Sequence, residues 1–258
     1  MRQTDLNAST SGPLLAIFTD FDGTLVEIAE TPDGVDVPDT LAHRIEQTAR
    51  EFNSAFAVLT GREIAEIDQF LSPLLLPVAG AHGTQRRRAD GVIEDIDPAS
   101  LSGALDIAEA IAPMIDDHPE LILETKQGAV AVHYRQAPEL HDVVRQAMQQ
   151  AVDGDAHFEL VPGKMVFEAR PRGVSKGDAL RAFMLEEPFI GRTPIFIGDD
   201  VSDEDGFIAA QDLGGVGIKL GEGDTAARMR IADVGSVHAL LQGLADVAAR
   251  EHEFAPKH

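Results

Sequence analysis

Ala16-Ile-Phe-Thr-Asp20-Phe-Asp22-Gly-Thr-Leu-Val26 is a short apolar run that ends in two aspartates one residue apart, followed by a glycine. Such a run reads as a buried strand, Leu14 to Phe18, delivering its carboxylates into a turn. Two carboxylates at the end of a buried strand repel each other unless a cation or a shared proton offsets the charge. The pair is therefore a functional-site candidate, and an oxygen-seeking ion such as Mg²⁺ is its natural partner. Taken alone, Asp-x-Asp-Gly is also ordinary turn chemistry. A calcium loop is disfavoured, because the glycine holds the fourth position instead of the sixth and the twelfth is Thr31 instead of Glu.

Outward from this stretch the chain alternates strand and helix. Pro38-Asp39-Thr40 opens a helix with Leu41, Ile45, Ala49 and Phe52 on one face, Ala55 to Leu59 is the next apolar strand, and Glu63 to Leu71 is helical. Strand, helix, strand predicts a parallel βαβ unit. The same pattern resumes after about Arg172, with a helix carrying Leu180, Phe183 and Met184 and a strand from Pro194 to Gly198. A helix from Asp203 to Ala210, a strand from Val216 to Ile218 and a helix with Val237, Leu241 and Leu244 complete it. The expected fold is α/β: a doubly wound, Rossmann-like parallel sheet interrupted by an insert. In open parallel sheets ligands bind beyond the carboxyl ends of the strands, which puts Asp20, Thr60 and Asp199 on one edge with Lys176 beside them at a helix start.

The insert, residues 98–170, has a different rhythm, αββαββ. Its first helix carries Leu101, Leu105, Ala108, Ile111 and Ile115, and its second carries Leu140, Val143, Val144, Ala147 and Ala151. A two-residue turn at Gln127-Gly128 pairs Glu124 with Ala131 and Ile122 with His133. Glu124, Lys126, His133 and Arg135 then share one face, with Leu123, Thr125, Val130, Val132 and Tyr134 on the other. A turn at Pro162-Gly163 likewise puts His157, Glu159, Lys164 and Glu168 opposite Phe158, Leu160, Met165 and Phe167. Two amphipathic helices can cover the apolar face, leaving a charged face that pattern alone would assign to solvent.

Composition narrows the function. The 258 residues are 44% apolar, ample for a packed core, and the absence of cysteine excludes disulfides, thiolate ligands and a thiol nucleophile. Met1 to Gly12 is polar and no apolar run approaches membrane-spanning length, so a cytoplasmic protein is expected. A net charge of −23 disfavours nucleic acid and anionic membranes, and Arg86-Arg87-Arg88 is too short a cluster to change that. No obligate protein partner is evident. The glycines at 214, 215, 217 and 221 miss the dinucleotide fingerprint because Leu220 replaces its third glycine, and no Gly-x-x-x-x-Gly-Lys-Ser/Thr run exists.

Three further motifs follow Asp20-x-Asp22 in order: Leu59-Thr60-Gly61-Arg62, Val174-Ser175-Lys176-Gly177 and Ile197-Gly198-Asp199-Asp200-Val201-Ser202-Asp203. From about Leu14 to about Leu241 the chain thereby resembles the haloacid dehalogenase superfamily of phosphatases, and within it the trehalose-6-phosphate phosphatase family. Gly80-Ala-His-Gly83, Leu123-Glu-Thr-Lys126, His133-Tyr-Arg135, Gly163-Lys164 and Glu168 carry the narrower likeness, with Ser202 where that family more often has Thr. The resemblance implies a core of residues 13–97 and 171–250, a cap of residues 98–170 closing its open sheet face over a phosphosugar, and flexible termini at 1–12 and 251–258.

It further implies a phosphorylated Asp20, Asp22 as general acid and then base, and Thr60 and Lys176 on the phosphoryl oxygens. Mg²⁺ would be held by Asp20, Asp199 and the backbone carbonyl of Asp22, with Asp203 completing or orienting that set and Asp200 behind it. Sugar contacts are expected from Glu124, Lys126, His133, Arg135, Lys164 and Glu168, and from His82 on the core side, where a structural histidine is the alternative. Arg62 is open between a phosphate contact and a cap on the strand–helix turn. Trehalose 6-phosphate is the expected substrate. Another sugar or glycerate phosphate is the close rival, with a phosphotransferase or a non-catalytic regulator further off.

Overall fold

The computed structural model describes residues 14–29 and 34–254, with side chains described as far as residue 250. Strand β1 (Leu15–Thr19) buries Ala16, Ile17 and Phe18 completely. Helix α1 (Leu41–Glu51) turns Leu41, Ile45 and Ala49 inward as their spacing predicts, and buried Phe52 closes it. Strand β2 (Phe56–Leu59) and helix α2 (Ile64–Phe70) follow. Strands β3 (Val78–Gly80) and β4 (Gln85–Arg87) come next, each too short to leave a periodic signal in the sequence.

The insert runs α3 (Pro98–Asp117), β5 (Ile122–Lys126), β6 (Ala129–His133), α4 (His141–Asp153), β7 (Phe158–Gly163) and β8 (Val166–Pro171), the αββαββ order read from the sequence. The second half of the core supplies α5 (Lys176–Phe183), β9 (Thr193–Gly198), α6 (Glu204–Asp212), β10 (Val216–Leu220), β11 (Met229–Ile231) and α7 (Val234–Phe254). The expected flexible termini, 1–12 and 251–258, lie outside the described residues apart from the helical backbone of 251–254. Among the described residues no helix is long and apolar enough to cross a membrane.

Seven strands form the core sheet in the order β11-β10-β9-β1-β2-β3-β4, parallel throughout except for β4 against β3. Strand order reverses at β1: β2 and β3 lie to one side, β9 to β11 to the other. Such a reversal opens a crevice at the carboxyl ends of the central strands. Helix α1 packs on α7 and α5 on α6, completing the doubly wound core. Its interior is filled around β1 by aromatic rings, with Phe18 stacked on Phe189 at 5.2 Å and tilted against Phe183 at 6.1 Å.

The insert's antiparallel sheet, β5-β6-β8-β7, has its own apolar cluster, in which Val130, Val132, Phe158, Phe167 and Ala169 meet α3 and α4. Its first hairpin has the expected register, Glu124 opposite Ala131 and Ile122 opposite His133. The second does not. Its turn is Lys164-Met165, with Met165 at φ 63°, instead of Pro162-Gly163, so Val161 pairs with Glu168 and Glu159 with Arg170. Pro162 continues β7 because β7 is an edge strand, where a missing N–H costs no ladder bond. The shift preserves strand parity, so the residues that stay in the strands keep their faces, while Lys164 and Met165 pass into the turn.

The insert's helices are also rotated from the expected faces. Helix α3 buries Ser100, Gly103, Ala104, Ile107 and Ile111, leaving Leu101 and Leu105 39% and 59% exposed. The cause is close approach: a Cβ on Gly103 would lie 2.4 Å from the Phe158 ring, so small residues, not the leucines, meet the sheet. Helix α4 buries Val144, Met148 and Val152, while Val143 turns outward.

Candidate active site

Asp20 follows β1 directly, its N–H bonded to the Ile197 carbonyl of β9 at 2.8 Å, and is almost completely buried. The chain then folds back on itself, with the Phe21 carbonyl accepting from Thr24, Leu25 and Val26. Gly23 makes this turn possible: its φ is +76°, and a Cβ there would stand 2.2 Å from an Asp199 oxygen. Thr60 ends β2, buried, and its hydroxyl accepts the Arg62 N–H at 3.1 Å.

Ser175 caps α5 by accepting from the Asp178 N–H, which places Lys176 in the first turn, 2% exposed. Its Nζ donates to Asp20 Oδ1 at 2.8 Å and to Asp203 Oδ1 at 2.7 Å. Burial alone would lower the Lys176 pKa, but the two carboxylates outweigh it and hold the ammonium charged. Burial pushes the Asp20 carboxyl well above the usual range against the pull of Lys176. Asp199 is pushed up to about 6, by burial first and then by Asp203.

Asp20, Asp199 and Asp203 each offer an oxygen within 4.8 Å of the others. This donor set suits a hard cation, and buried Asp199 Oδ1 has no hydrogen-bond partner, as an oxygen reserved for an ion would. Asp203 is already committed. Its Oδ2 accepts from the N–H groups of Asp199 and Asp200, both at 2.9 Å, and its Oδ1 takes Lys176, so it orients the loop and the lysine. The Asp22 carboxylate stands apart from this cluster, paired with Arg62. Sequence reasoning missed Lys219, whose ammonium bonds the Asp199 carbonyl from the end of β10. A lysine in an otherwise apolar strand ending on the same sheet edge was the available signal.

Across the cleft, the charged face of the insert lands on the core. Lys126 donates to the Gly61 carbonyl at 3.1 Å and lies 3.7 Å from Glu124 and 3.6 Å from Glu168. His82 Nε2 is 3.4 Å from Glu168 Oε2, and the imidazole lies so close over Gly61 that a Cβ there would be 2.6 Å from it. His82 and Ala81 both have positive φ, 54° and 46°. His82 Nδ1 and Glu168 Oε1 are buried without a hydrogen-bond partner, Lys126 standing 3.6 Å from the latter. Burial, followed by Lys126 and Lys176, lowers the His82 pKa well below its ordinary value, while burial raises that of Glu168.

His133 bonds Glu124 at 2.8 Å, which lowers the Glu124 pKa. Arg170, two residues after Glu168 on the same face, was missed although alternation reaches it; it lies 3.2 Å from Glu159 and 3.5 Å from Asp205 of the core. Two expected contacts are not brought together with the rest. Lys164 is exposed in the displaced hairpin turn, and Arg135 is exposed beyond the end of β6.

Known proteins resemble the chain at each of these levels. The sequence pattern of the trehalose-phosphatase family matches residues 18–234. The trehalose-6-phosphate phosphatase of Escherichia coli K12 is 40% identical over 239 residues, spanning 92% of this chain and 89% of that one. A crystal structure described as a trehalose-6-phosphate phosphatase related protein superposes with a TM-score of 0.76 at 30% identity, covering 92% of this chain and 99% of its own. A phosphatase of the haloalkanoate (HAD) superfamily from Bacteroides thetaiotaomicron, 13% identical with a TM-score of 0.58 over 97% of this chain and 99% of its own, shares the fold alone.

Proposed function

Because the chain belongs to the trehalose-phosphatase family, we propose that it hydrolyses trehalose 6-phosphate to trehalose and phosphate through a phosphorylated Asp20. The observation that carries this is the convergence of Asp20, Thr60, Lys176 and Asp199 at the carboxyl ends of the core strands, beneath the charged face of residues 98–170.

Asp20 attacks phosphorus and the sugar oxygen leaves with a proton from Asp22. Asp22 then takes a proton from the water that releases phosphate. Lys176 holds Asp20 on line and, with the Thr60 hydroxyl, meets the phosphoryl oxygens as charge shifts onto them. Asp20, Asp199 and the Asp22 carbonyl would hold Mg²⁺, with Asp203 orienting the set, and the bound ion would supply positive charge that lets an anionic nucleophile approach an anionic ester.

Residues 98–170 act as the cap. Glu124, Lys126, His133 and Glu168, with His82 opposite them, offer the polar groups that hold the hydroxyls of trehalose. The unpartnered atoms of His82 and Glu168 favour this assignment over a solvated surface.

Phosphate release from trehalose 6-phosphate should require Mg²⁺, stop with excess chelator and be abolished in Asp20→Asn. Full activity in that variant, or with chelator present, would refute the mechanism. Faster turnover of glucose 6-phosphate or a glycerate phosphate would reassign the substrate.

A further inference from the structure

The Arg62 guanidinium is occupied on three sides. Nε donates to Asp22 Oδ2 at 2.6 Å and Nη2 to Asp22 Oδ1 at 2.9 Å, a two-pronged pair in which the arginine side chain is 9% exposed. Nη1 donates to Glu66 Oε1 at 2.9 Å, and the other Glu66 oxygen accepts the Glu63 N–H at 2.9 Å, tying the guanidinium to the first turn of α2. The Phe70 ring lies 4.9 Å from the guanidinium carbon and stacks at 5.7 Å on Phe21, the residue between the two aspartates. Lys126 of the cap bonds the carbonyl of Gly61, immediately before Arg62, so the loop is held from the cap side as well. A planar fork fixed in this way offers a carboxylate one orientation.

We propose that Arg62 is a positioning residue for Asp22, orienting the acid–base carboxylate and receiving the negative charge it gains when it gives up its proton. The proposal rests on the assignment of Asp22 as acid and base. In the first displacement the bond from Asp20 to phosphorus forms, the bond from phosphorus to the sugar oxygen breaks, and the Asp22 proton passes to that oxygen. Asp22 is then an anion on the guanidinium fork. In the second displacement Asp22 takes a proton from water, whose oxygen bonds phosphorus as the bond to Asp20 breaks and phosphate departs. A sugar alkoxide leaves poorly without that proton, whereas p-nitrophenolate leaves readily without it. In the first displacement an arginine acting through Asp22 therefore matters for one leaving group and little for the other, whereas the second displacement, with Asp22 as base, is common to both. An arginine gripping phosphate would matter for both.

The test measures kcat and KM on trehalose 6-phosphate and on p-nitrophenyl phosphate for the wild type, Arg62→Gln, Arg62→Lys, Asp22→Asn and the double variant Arg62→Gln/Asp22→Asn. Arg62→Gln is expected to lower kcat/KM, which reports only events through the first displacement, by about 10²–10⁴-fold on trehalose 6-phosphate, the range of a lost proton transfer, and to leave it within about 10-fold of wild type on p-nitrophenyl phosphate. Arg62→Lys should rescue little, because an ammonium cannot fork. The double variant should be no slower than Asp22→Asn alone, since the arginine has nothing left to act through. Equal losses on both substrates with a raised KM, or losses that multiply in the double variant, would overturn the proposal. If Asp22→Asn itself lowers kcat/KM equally on both substrates, Asp22 is not the acid of the first displacement and the proposal falls with that assignment.

Discussion

At the core edge Lys176 stands 2.8 Å from Asp20 and 2.7 Å from Asp203, and Asp203 takes two backbone N–H groups at 2.9 Å. Where the cap face meets the core, His133 bonds Glu124 at 2.8 Å, but the spacings around Lys126 and Glu168 are wider: Lys126 lies 3.7 Å from Glu124 and 3.6 Å from Glu168, and His82 of the core lies 3.4 Å from Glu168. Both regions bury charge, but only the core edge closes most of its hydrogen bonds internally, leaving Asp199 Oδ1 open. The cap–core contact leaves His82 Nδ1 and Glu168 Oε1 without a hydrogen-bond partner. Charges that satisfy one another are rigid before substrate arrives, which suits the chemical step. Buried polar atoms held short of contact acquire partners from a ligand. In the proposed function, chemistry and selectivity are divided between the two sides of the cleft.

Breaking the tighter side should cost most. Asp203→Asn weakens the grip on Lys176 and leaves a buried ammonium with one anionic partner. Denaturant unfolding should show a loss of about 3 kcal/mol, the lower end for a broken buried pair because Asp20 remains. Phosphate release from trehalose 6-phosphate and from p-nitrophenyl phosphate should fall together. Unchanged stability would mean that Asp203 is not the scaffold described.

The looser side sharpens the comparison through pH. His82 is held neutral in the folded protein by burial, with Lys126 and Lys176 adding to the effect, whereas an unfolded histidine titrates near 6.5. Its folded pKa is the lower, so the unfolded chain binds more protons. Stability is therefore complete above about pH 6.5 and is lost as pH falls below that value. Relative to His82→Asn, the wild type should lose about 1 kcal/mol of unfolding free energy between pH 7.5 and 5.5. Comparing the two proteins removes the opposing slopes of Asp20, Asp199 and Glu168, whose folded pKa values are raised. Parallel pH curves for the two proteins would contradict the buried, neutral histidine.

The same division explains what the sequence disclosed. Asp20, Thr60 and Asp199 were legible because each follows an apolar run and parallel strands must end on one edge, and Lys176 because it opens the helix beside them. In the cap, alternation placed Glu124, Lys126, His133 and Glu168 on one face, and that face survived a displaced turn because the shift preserved parity. Lys164 was lost for a local reason: Met165 accepts a positive φ that a Pro-Gly pair had been expected to supply. The helix face of α3 was misjudged because large apolar residues were counted, while close packing selected Gly103 and Ala104. Arg62 bound to Asp22, and Lys219 bound to the Asp199 carbonyl, are contacts between distant segments that no local spacing encodes.

The division of labour is tested most directly by kcat/KM for trehalose 6-phosphate and for p-nitrophenyl phosphate in wild type and Lys126→Met. Methionine keeps an apolar stem at the cap–core contact and removes only the charged end. The variant should lose roughly 10–1000-fold on trehalose 6-phosphate, the cost of one charged hydrogen-bond partner, and remain close to wild type on p-nitrophenyl phosphate. An equal loss on both substrates, or none on either, would contradict the claim that the core edge performs the chemistry while the cap face selects the sugar.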